Sequence, residues 1–365
     1  MFLTNNFMKF LTLIYGALRD LIIRYLPNFN KDKDFFVFLA HPRNLKDATH
    51  KFSFLKILPK PILLLFLKHM WPVRASELTG FKDLSGKSIK GYFIVISMLP
   101  EQILQNKKYA TKKIVQAVKL AEKIGANIVG LGALTSSITG GGKDLLGIVN
   151  VNLTTGNTLT SCVTFLDVQN IAKAKGIDLN NETVAIVGAT GSIGSAVSML
   201  IARDYKAKLV LVGRTMSHIE SLKKEIAEIR GGGNVEVTDS LDKISSASIV
   251  IVATSSSLAF IQSKHLKAGA IVYDITQPRN VSNEVFKERN DLTMIDGGLV
   301  KIPHARINFN VGLPEGVFFS CLTETMILSA EKEFDKLSLG HVELAGVDFI
   351  QDKFNKYKFA LYNTQ

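Results

Sequence analysis

Thr183-Val184-Ala185-Ile186-Val187-Gly188-Ala189-Thr190-Gly191-Ser192-Ile193-Gly194-Ser195-Ala196 is the stretch whose reading decides the fold. Val184–Val187 is an apolar run of strand length, as expected of a strand buried on both faces. The glycines that follow keep a G-x-x-G-x-x-G spacing. Gly188 permits the tight turn, Gly191 lets backbone approach a pyrophosphate, and Gly194 lets strand and helix pack closely. A helix expected over Gly194–Arg203 then turns free N–H groups and the positive end of its dipole towards phosphate. Thr190, Ser192 and Ile193 complete the expected cofactor loop.

Strand and helix signals alternate downstream. Lys208–Val212, Ser248–Ala253 and Ala270–Asp274 are expected strands, and Ser217–Ile229 is an expected helix before the Gly231–Gly233 turn. Such alternation implies a parallel sheet covered by helices on both faces, an α/β fold of the Rossmann-like, doubly wound kind. A fold that binds NAD usually presents Asp or Glu at the end of its second strand, to hold the ribose hydroxyls. Here that position reads Gly213-Arg214-Thr215. Arg214 can pair with the extra phosphate of NADP and Thr215 can donate to it, so NADPH is the expected cofactor. Ala253-Thr254-Ser255 ends a later strand with small residues, beside which a nicotinamide ring can lie. Asp274 ends the next strand, where ligands bind in open sheets of this type.

Upstream, Ile89–Ser97 is an expected strand and Lys107–Ile124 an expected helix, with Ile114, Val118 and Leu120 on its apolar side. Ala126–Leu131 leads into Gly132-Ala133-Leu134-Thr135-Ser136, and Thr154-Thr155-Gly156-Asn157-Thr158 reads as a loop and N-cap before a helix to about Lys175. These elements compose an α/β substrate domain over 91–180. The polar connection Gly176–Glu182 is the expected boundary with the nucleotide-binding domain, 181–300. Residues 301–365 form an expected C-terminal helical segment, in which Pro314 and Gly316 precede a long helix over Val317–Phe334. The last 30 residues carry no clear pattern.

The chain of 365 residues is 47% hydrophobic and 21% charged, the composition of a globular protein. Its two cysteines, Cys162 and Cys321, exclude a disulfide scaffold and a zinc cluster, so no metal is expected and a reducing cytoplasm fits. The formal charge is +12, and residues 1–90 hold 15 Lys/Arg against 6 Asp/Glu, or +9. Such a region attracts an acidic protein or an anionic membrane surface. No RNA- or DNA-binding motif is present, and the basic residues sit among Phe, Leu and Ile, so nucleic acid is not an expected partner. Phe10–Leu18 is too short to span a bilayer, which needs about 20 apolar residues. Phe52–Val73 is broken by Lys56, Pro59, Lys60, Pro61 and Lys68. Both stretches read either as buried helices of an N-terminal domain or as amphipathic segments in peripheral contact with a membrane or an acyl chain.

Cys321 lies shortly after Pro314 and Gly316, within about a turn of the expected helix start. A thiol there should feel the helix dipole, which lowers its pKa towards the thiolate that attacks carbonyls and thioesters. Glu324, one turn on, would oppose that ionisation unless it is paired or accepts the proton.

Five segments together resemble the long-chain acyl-[acyl-carrier-protein] reductases of the aldehyde-forming, cyanobacterial type. They are Gly132–Ser136, Thr154–Thr158, Val184–Ala196, Asp296-Gly297-Gly298 and Phe319–Leu328 (FSCLTETMIL), in the same order across residues 127–330. Ala133 stands where that family carries Gly. The resemblance implies that Cys321 takes the acyl chain from acyl carrier protein or acyl-CoA as a thioester, and that NADPH reduces it to a fatty aldehyde. Thr135, Ser136, Asn157 and Thr158 are then candidate donors to the oxyanion, and His304 a candidate proton relay. The turn Thr276–Asn280 is also similar to shikimate dehydrogenase and glutamyl-tRNA reductase. That leaves a non-covalent dehydrogenase of a polar carbonyl, or a non-enzymatic NADP-binding protein docked on membrane, as alternatives.

Overall fold

Runs of Val, Ile and Phe with no polar interruption build the centres of two sheets. The computed structural model describes residues 14–23, 25–26, 34–50, 53–308, 311–336 and 339–363. Phe10–Leu13 and Phe52, parts of the two apolar stretches noted above, lie outside the described residues. The chain divides into two units, Met1–Gly156 with Ile302–Gly340, and Asn157–Lys301 with His341–Gln365.

In the first unit the strands are β1 (Phe35–Ala40), β2 (Val73–Lys82), β3 (Ser88–Val95), β4 (Ile128–Leu131) and β5 (Asn152–Thr154). The sheet runs β2-β3-β1-β4-β5, with Arg306–Ile307 added antiparallel at the β2 edge. β1, β3, β4 and β5 are mutually parallel, and β2 is antiparallel to β3. The helix Lys107–Lys123 starts where the Asn106 side chain accepts the Tyr109 N–H at 3.1 Å, and Gly125 follows its end at φ 89°. Its buried apolar residues, Ala110, Ile114, Ala117, Val118, Leu120 and Ala121, fall on one face and join the core formed by β1, β3 and β4.

In the second unit Thr183–Val187 (β6) pairs in parallel with Lys208–Val212 (β7) on one side and Ile249–Val252 (β9) on the other. Val235–Thr238 (β8), Ile271–Asp274 (β10) and Thr293–Asp296 (β11) complete the order β11-β10-β9-β6-β7-β8, parallel throughout. Counted from β6, this is the 3-2-1-4-5-6 order of a dinucleotide-binding fold, and the direction of winding switches between β6 and β9. The expected α/β, Rossmann-like doubly wound architecture is therefore present.

The divisions between domains differ from those expected. Residues 1–90 are not separate, because β1, β2 and β3 share one sheet with β4 and β5. The helix Asn157–Ala174 belongs to the nucleotide-binding unit, so the division falls at Gly156 rather than within Gly176–Glu182. Residues 301–365 are shared between the units, and the helix Leu344–Lys356 in the unpatterned tail joins the second. The long helix expected from Val317 is instead a strand, Val317–Phe319, followed by the helix Ser320–Glu331. Phe319 is extended at φ −70°, ψ 137°, and the helix stops where Lys332 turns left-handed. Among the described residues no helix is long and apolar enough to cross a membrane, and no three His, Cys, Asp or Glu side chains gather as metal ligands.

Candidate functional site

The glycine turn of the second unit is built for close backbone approach. Gly188 adopts φ 89°, and a Cβ on it would lie 2.5 Å from the Ala253 carbonyl oxygen. That contact joins the ends of β6 and β9 where the winding switches. A Cβ on Gly194 would lie 2.2 Å from the Gly188 oxygen, so only glycine lets the helix Ser192–Asp204 begin there. Gly191 is its N-cap and offers no side chain, and the Ser192 hydroxyl is buried with no hydrogen-bond partner. Free helix N–H groups, a cradle that a Cβ would fill and an unpaired hydroxyl together fit a dinucleotide pyrophosphate. Thr190 and Ile193 flank them, half-buried.

Arg214 and Thr215 are exposed just beyond β7, and Thr215 is the N-cap of the helix Met216–Arg230 without capping it through its side chain. Both are free to meet a ligand. Thr254 is committed elsewhere, since its hydroxyl donates to Asn280 and accepts the Ser256 N–H at 3.1 Å. Ser255 is exposed and Ala253 half-buried. Asp274 departs from the expected role of ligand contact. One of its oxygens accepts from the Thr276 N–H (2.8 Å) and hydroxyl (2.5 Å), and the other from the N–H groups of Asn280 and Val281. It shapes its own turn, and burial raises its pKa.

Cys321 is the second residue of the helix Ser320–Glu331, nearer the helix start than a helix beginning at Val317 would place it. The backbone of the first unit closes on it, for a Cβ on Gly156 would lie 2.3 Å from the Cys321 Cα. Gly156 is left-handed at φ 72°, so this approach needs glycine twice over. On the next turn Glu324 is buried, and the Thr154 hydroxyl donates to its Oε1 at 2.5 Å. A Cβ on Gly130, in β4, would meet the Thr325 hydroxyl at 2.1 Å, which brings the cysteine helix hard against the sheet.

The expected low pKa of Cys321 is reversed. Although the residue as a whole is partly exposed, burial of the thiol pushes it up to about 12, and the Glu324 charge adds to the rise. Backbone N–H groups oppose these effects and are outweighed. The helix dipole is present, but burial of the thiol away from water overrides it, and the carboxylate one turn away adds to the rise.

The remaining candidates divide between the units. Thr135 and Ser136 lie in the first, buried in the short helix Leu134–Ser137. The Thr135 hydroxyl donates to the Gly132 carbonyl at 2.7 Å and so serves its own turn. Ser136 makes no such side-chain bond among the described residues, so its hydroxyl is not committed to its own turn. Asn157 and Thr158 open the helix Asn157–Ala174 in the second unit, Thr158 being buried. His304 is exposed at a turn with φ 69°, and no hydrogen bond ties it to the cysteine cluster among the described residues.

Two residues went unread in the sequence. Thr154 was visible only as part of a loop, and its partner Glu324 lies 170 positions away. His41 is buried, with Nδ1 3.0 Å from the Pro42 carbonyl and Nε2 accepting the Leu134 N–H at 3.3 Å. Those bonds suit a neutral ring with the proton on Nδ1, and burial lowers its pKa accordingly. His41 thus fixes the turn in which Ala133 adopts φ 50°, ψ −129°, a conformation that favours the glycine of the resembling family.

Residues 170–297 match the shikimate/quinate 5-dehydrogenase family model. The chain is 32% identical over 279 residues to the long-chain acyl-[acyl-carrier-protein] reductase of Synechococcus elongatus, covering 71% of this chain and 78% of that protein. It is 25% identical over 341 residues to aminotransferase PigE of a Serratia species, covering 90% of this chain but only 39% of that longer protein. Among solved structures, quinate dehydrogenase from Corynebacterium glutamicum in complex with NAD aligns over 88% of this chain and 98% of its own, at 13% identity and a TM-score of 0.38. The extent of the Synechococcus match places the chain in the family of the long-chain acyl-[acyl-carrier-protein] reductase, as an oxidoreductase of the nicotinamide-dependent kind.

Proposed function

We propose that the protein reduces a long-chain acyl thioester, carried on acyl carrier protein or CoA, to a fatty aldehyde through an acyl group held on Cys321. The observation that carries this reading is the enclosure of Cys321 at a helix N-terminus, between Gly156 and the Thr154–Glu324 pair. A thiol raised to about 12 is not a resting thiolate. It must lose its proton as it attacks, and Glu324, whose charge already acts on it, is the base within its own helix.

In this scheme the Cys321 sulfur bonds to the acyl carbonyl carbon, and its proton passes to Glu324. The bond to the carrier sulfur breaks, and Glu324 returns the proton to the departing thiol. Thr154 holds the carboxylate in place throughout. The Ser136 hydroxyl and helix N–H groups are candidates to receive the carbonyl oxygen as charge builds on it. The Gly188–Gly194 turn would hold NADPH, with Arg214 and Thr215 as the residues for its 2′-phosphate, and NADPH would supply the hydride for reduction of the acyl-cysteine. Cleavage of the carbon–sulfur bond would then release the aldehyde, and the Cys321 sulfur would return to thiol with a proton drawn from water through Glu324.

Consumption of NADPH in the presence of acyl-ACP or acyl-CoA, with the product identified by mass, tests the reading. Aldehyde is expected, and Cys321→Ser should lower its formation roughly a thousandfold or more while NADPH still binds. Full activity in that variant would favour a non-covalent dehydrogenase instead.

A further inference from the structure

Bulky apolar side chains should be scarce on a protein surface unless something covers them. Among the described residues of this chain they gather near the N-terminus. Residues 14–23 are helical, and Ile14, Leu18 and Ile22 follow one another up a single exposed face. Tyr25 lies just beyond, 82% exposed. In the helix Lys60–His69, Leu63 and Leu67 are buried while Ile62, Leu65 and Phe66 point outward.

Neither helix is loosely attached. The buried Asp20 accepts the Arg74 N–H at 2.6 Å and pairs with the Arg74 guanidinium at 2.9 Å. The Trp71 indole donates to the Ala17 carbonyl at 2.9 Å, tying the first helix to the segment that follows the second. Lys113 donates to the His69 and Met70 carbonyls, and Gln102 to that of Leu64, holding the second helix from beneath. Specific bonds thus fix the inner sides and leave the outer sides apolar.

Around the second helix the sequence carries charge of one sign only. From Ala48 to Ser76 the chain carries four Lys, besides the Arg74 that pairs with Asp20, and no Asp or Glu. Lys56 and Lys60 are exposed at the start of the second helix, beside Ile57. We propose that the outward faces of these two helices dock on an anionic lipid surface. Aliphatic side chains flanked by Lys, with Tyr at the margin, suit entry to the headgroup boundary, and lysines add attraction to anionic headgroups. An acidic protein would use the same charge but would not call for an aliphatic stripe on each of two helices. The inference does not depend on the reaction proposed above.

Flotation of the full chain with vesicles tests it. The protein should float with vesicles of equal parts phosphatidylcholine and phosphatidylglycerol, and much less with phosphatidylcholine alone. Ile62→Glu, Leu65→Glu and Phe66→Glu together should weaken the flotation about tenfold or more. All three sites are exposed, so the thermal melt should stay close to that of the parent. Lys56→Gln with Lys60→Gln should weaken binding to the anionic vesicles and leave weak binding to neutral ones unchanged. Three results would overturn the proposal. They are no flotation of the parent chain, equal flotation of the triple variant, and a lipid-free dimer or a complex with acyl carrier protein that the triple variant abolishes while vesicle binding persists.

Discussion

Two helices of this chain begin at glycine-lined turns and use their N-termini in opposite ways. Ser192–Asp204 starts in the open, its N-cap a glycine and the Ser192 hydroxyl unpaired, so the positive end of the helix is available to an incoming anion. Ser320–Glu331 starts under cover, with Gly156 against Cys321 and the Glu324 carboxylate one turn along. Its N-terminus faces an internal negative charge, and the thiol there rises to about 12 rather than falling. A helix end is thus an anion site only when its first turn is left open. Where burial and a carboxylate occupy it, the dipole does not govern the chemistry.

The contrast can be broken most sharply at Glu324. Glu324→Gln removes the base assigned to the thiol, so aldehyde formation should fall roughly a hundred- to ten-thousandfold. The same change removes a charge that opposes ionisation, so alkylation of Cys321 by iodoacetamide should become faster. If both rates fell together, the loss would be structural and Glu324 would have no part in the proton transfer.

A buried acid in the other unit sharpens the point. Asp167 accepts the Tyr273 hydroxyl at 2.5 Å and the Asn363 amide at 3.3 Å, while its second oxygen is buried without a partner. Burial raises its pKa from 3.8 to about 6, against those bonds. A carboxyl whose pKa is raised on folding contributes stability that is full below pH 4 and lost as pH climbs through 6. The shift corresponds to about 3 kcal/mol at most. Asp167→Asn should therefore flatten the fall in thermal stability between pH 4 and pH 7, and an unaltered pH profile would contradict the assignment.

At the open helix the expected effect is smaller. Arg214→Ala should weaken NADPH by about tenfold, the loss of one charge-assisted bond, and leave NADH nearly unchanged. Equal weakening of both would remove Arg214 from the 2′-phosphate.

The nucleotide-binding unit was the more legible of the two. Strands buried on both faces read as unbroken apolar runs, and the glycine spacing announced its turn because each glycine answers a local backbone demand. The cysteine region was legible in position and not in character. Cys321 falls within a turn of a helix start as expected, although that start is Ser320 rather than Val317, but the sign of its pKa shift is set first by burial of the thiol, which spacing along the chain does not reveal. β1 (Phe35–Ala40) lies within the basic first 90 residues, between the two apolar stretches, and went without a strand reading because a strand apolar on both faces has no alternation to betray it. The division at Gly156 was hidden for a related reason. Helix signals mark where Asn157–Ala174 begins, but only packing decides which unit the helix joins.

Intact-mass measurement after mixing the protein with a long-chain acyl thioester, with NADPH withheld, addresses the central claim most directly. The account predicts a single added acyl group, mapped by peptide digestion to Cys321 and absent from Cys321→Ser. An adduct on Cys162, or no adduct with any acyl-ACP or acyl-CoA, would contradict it.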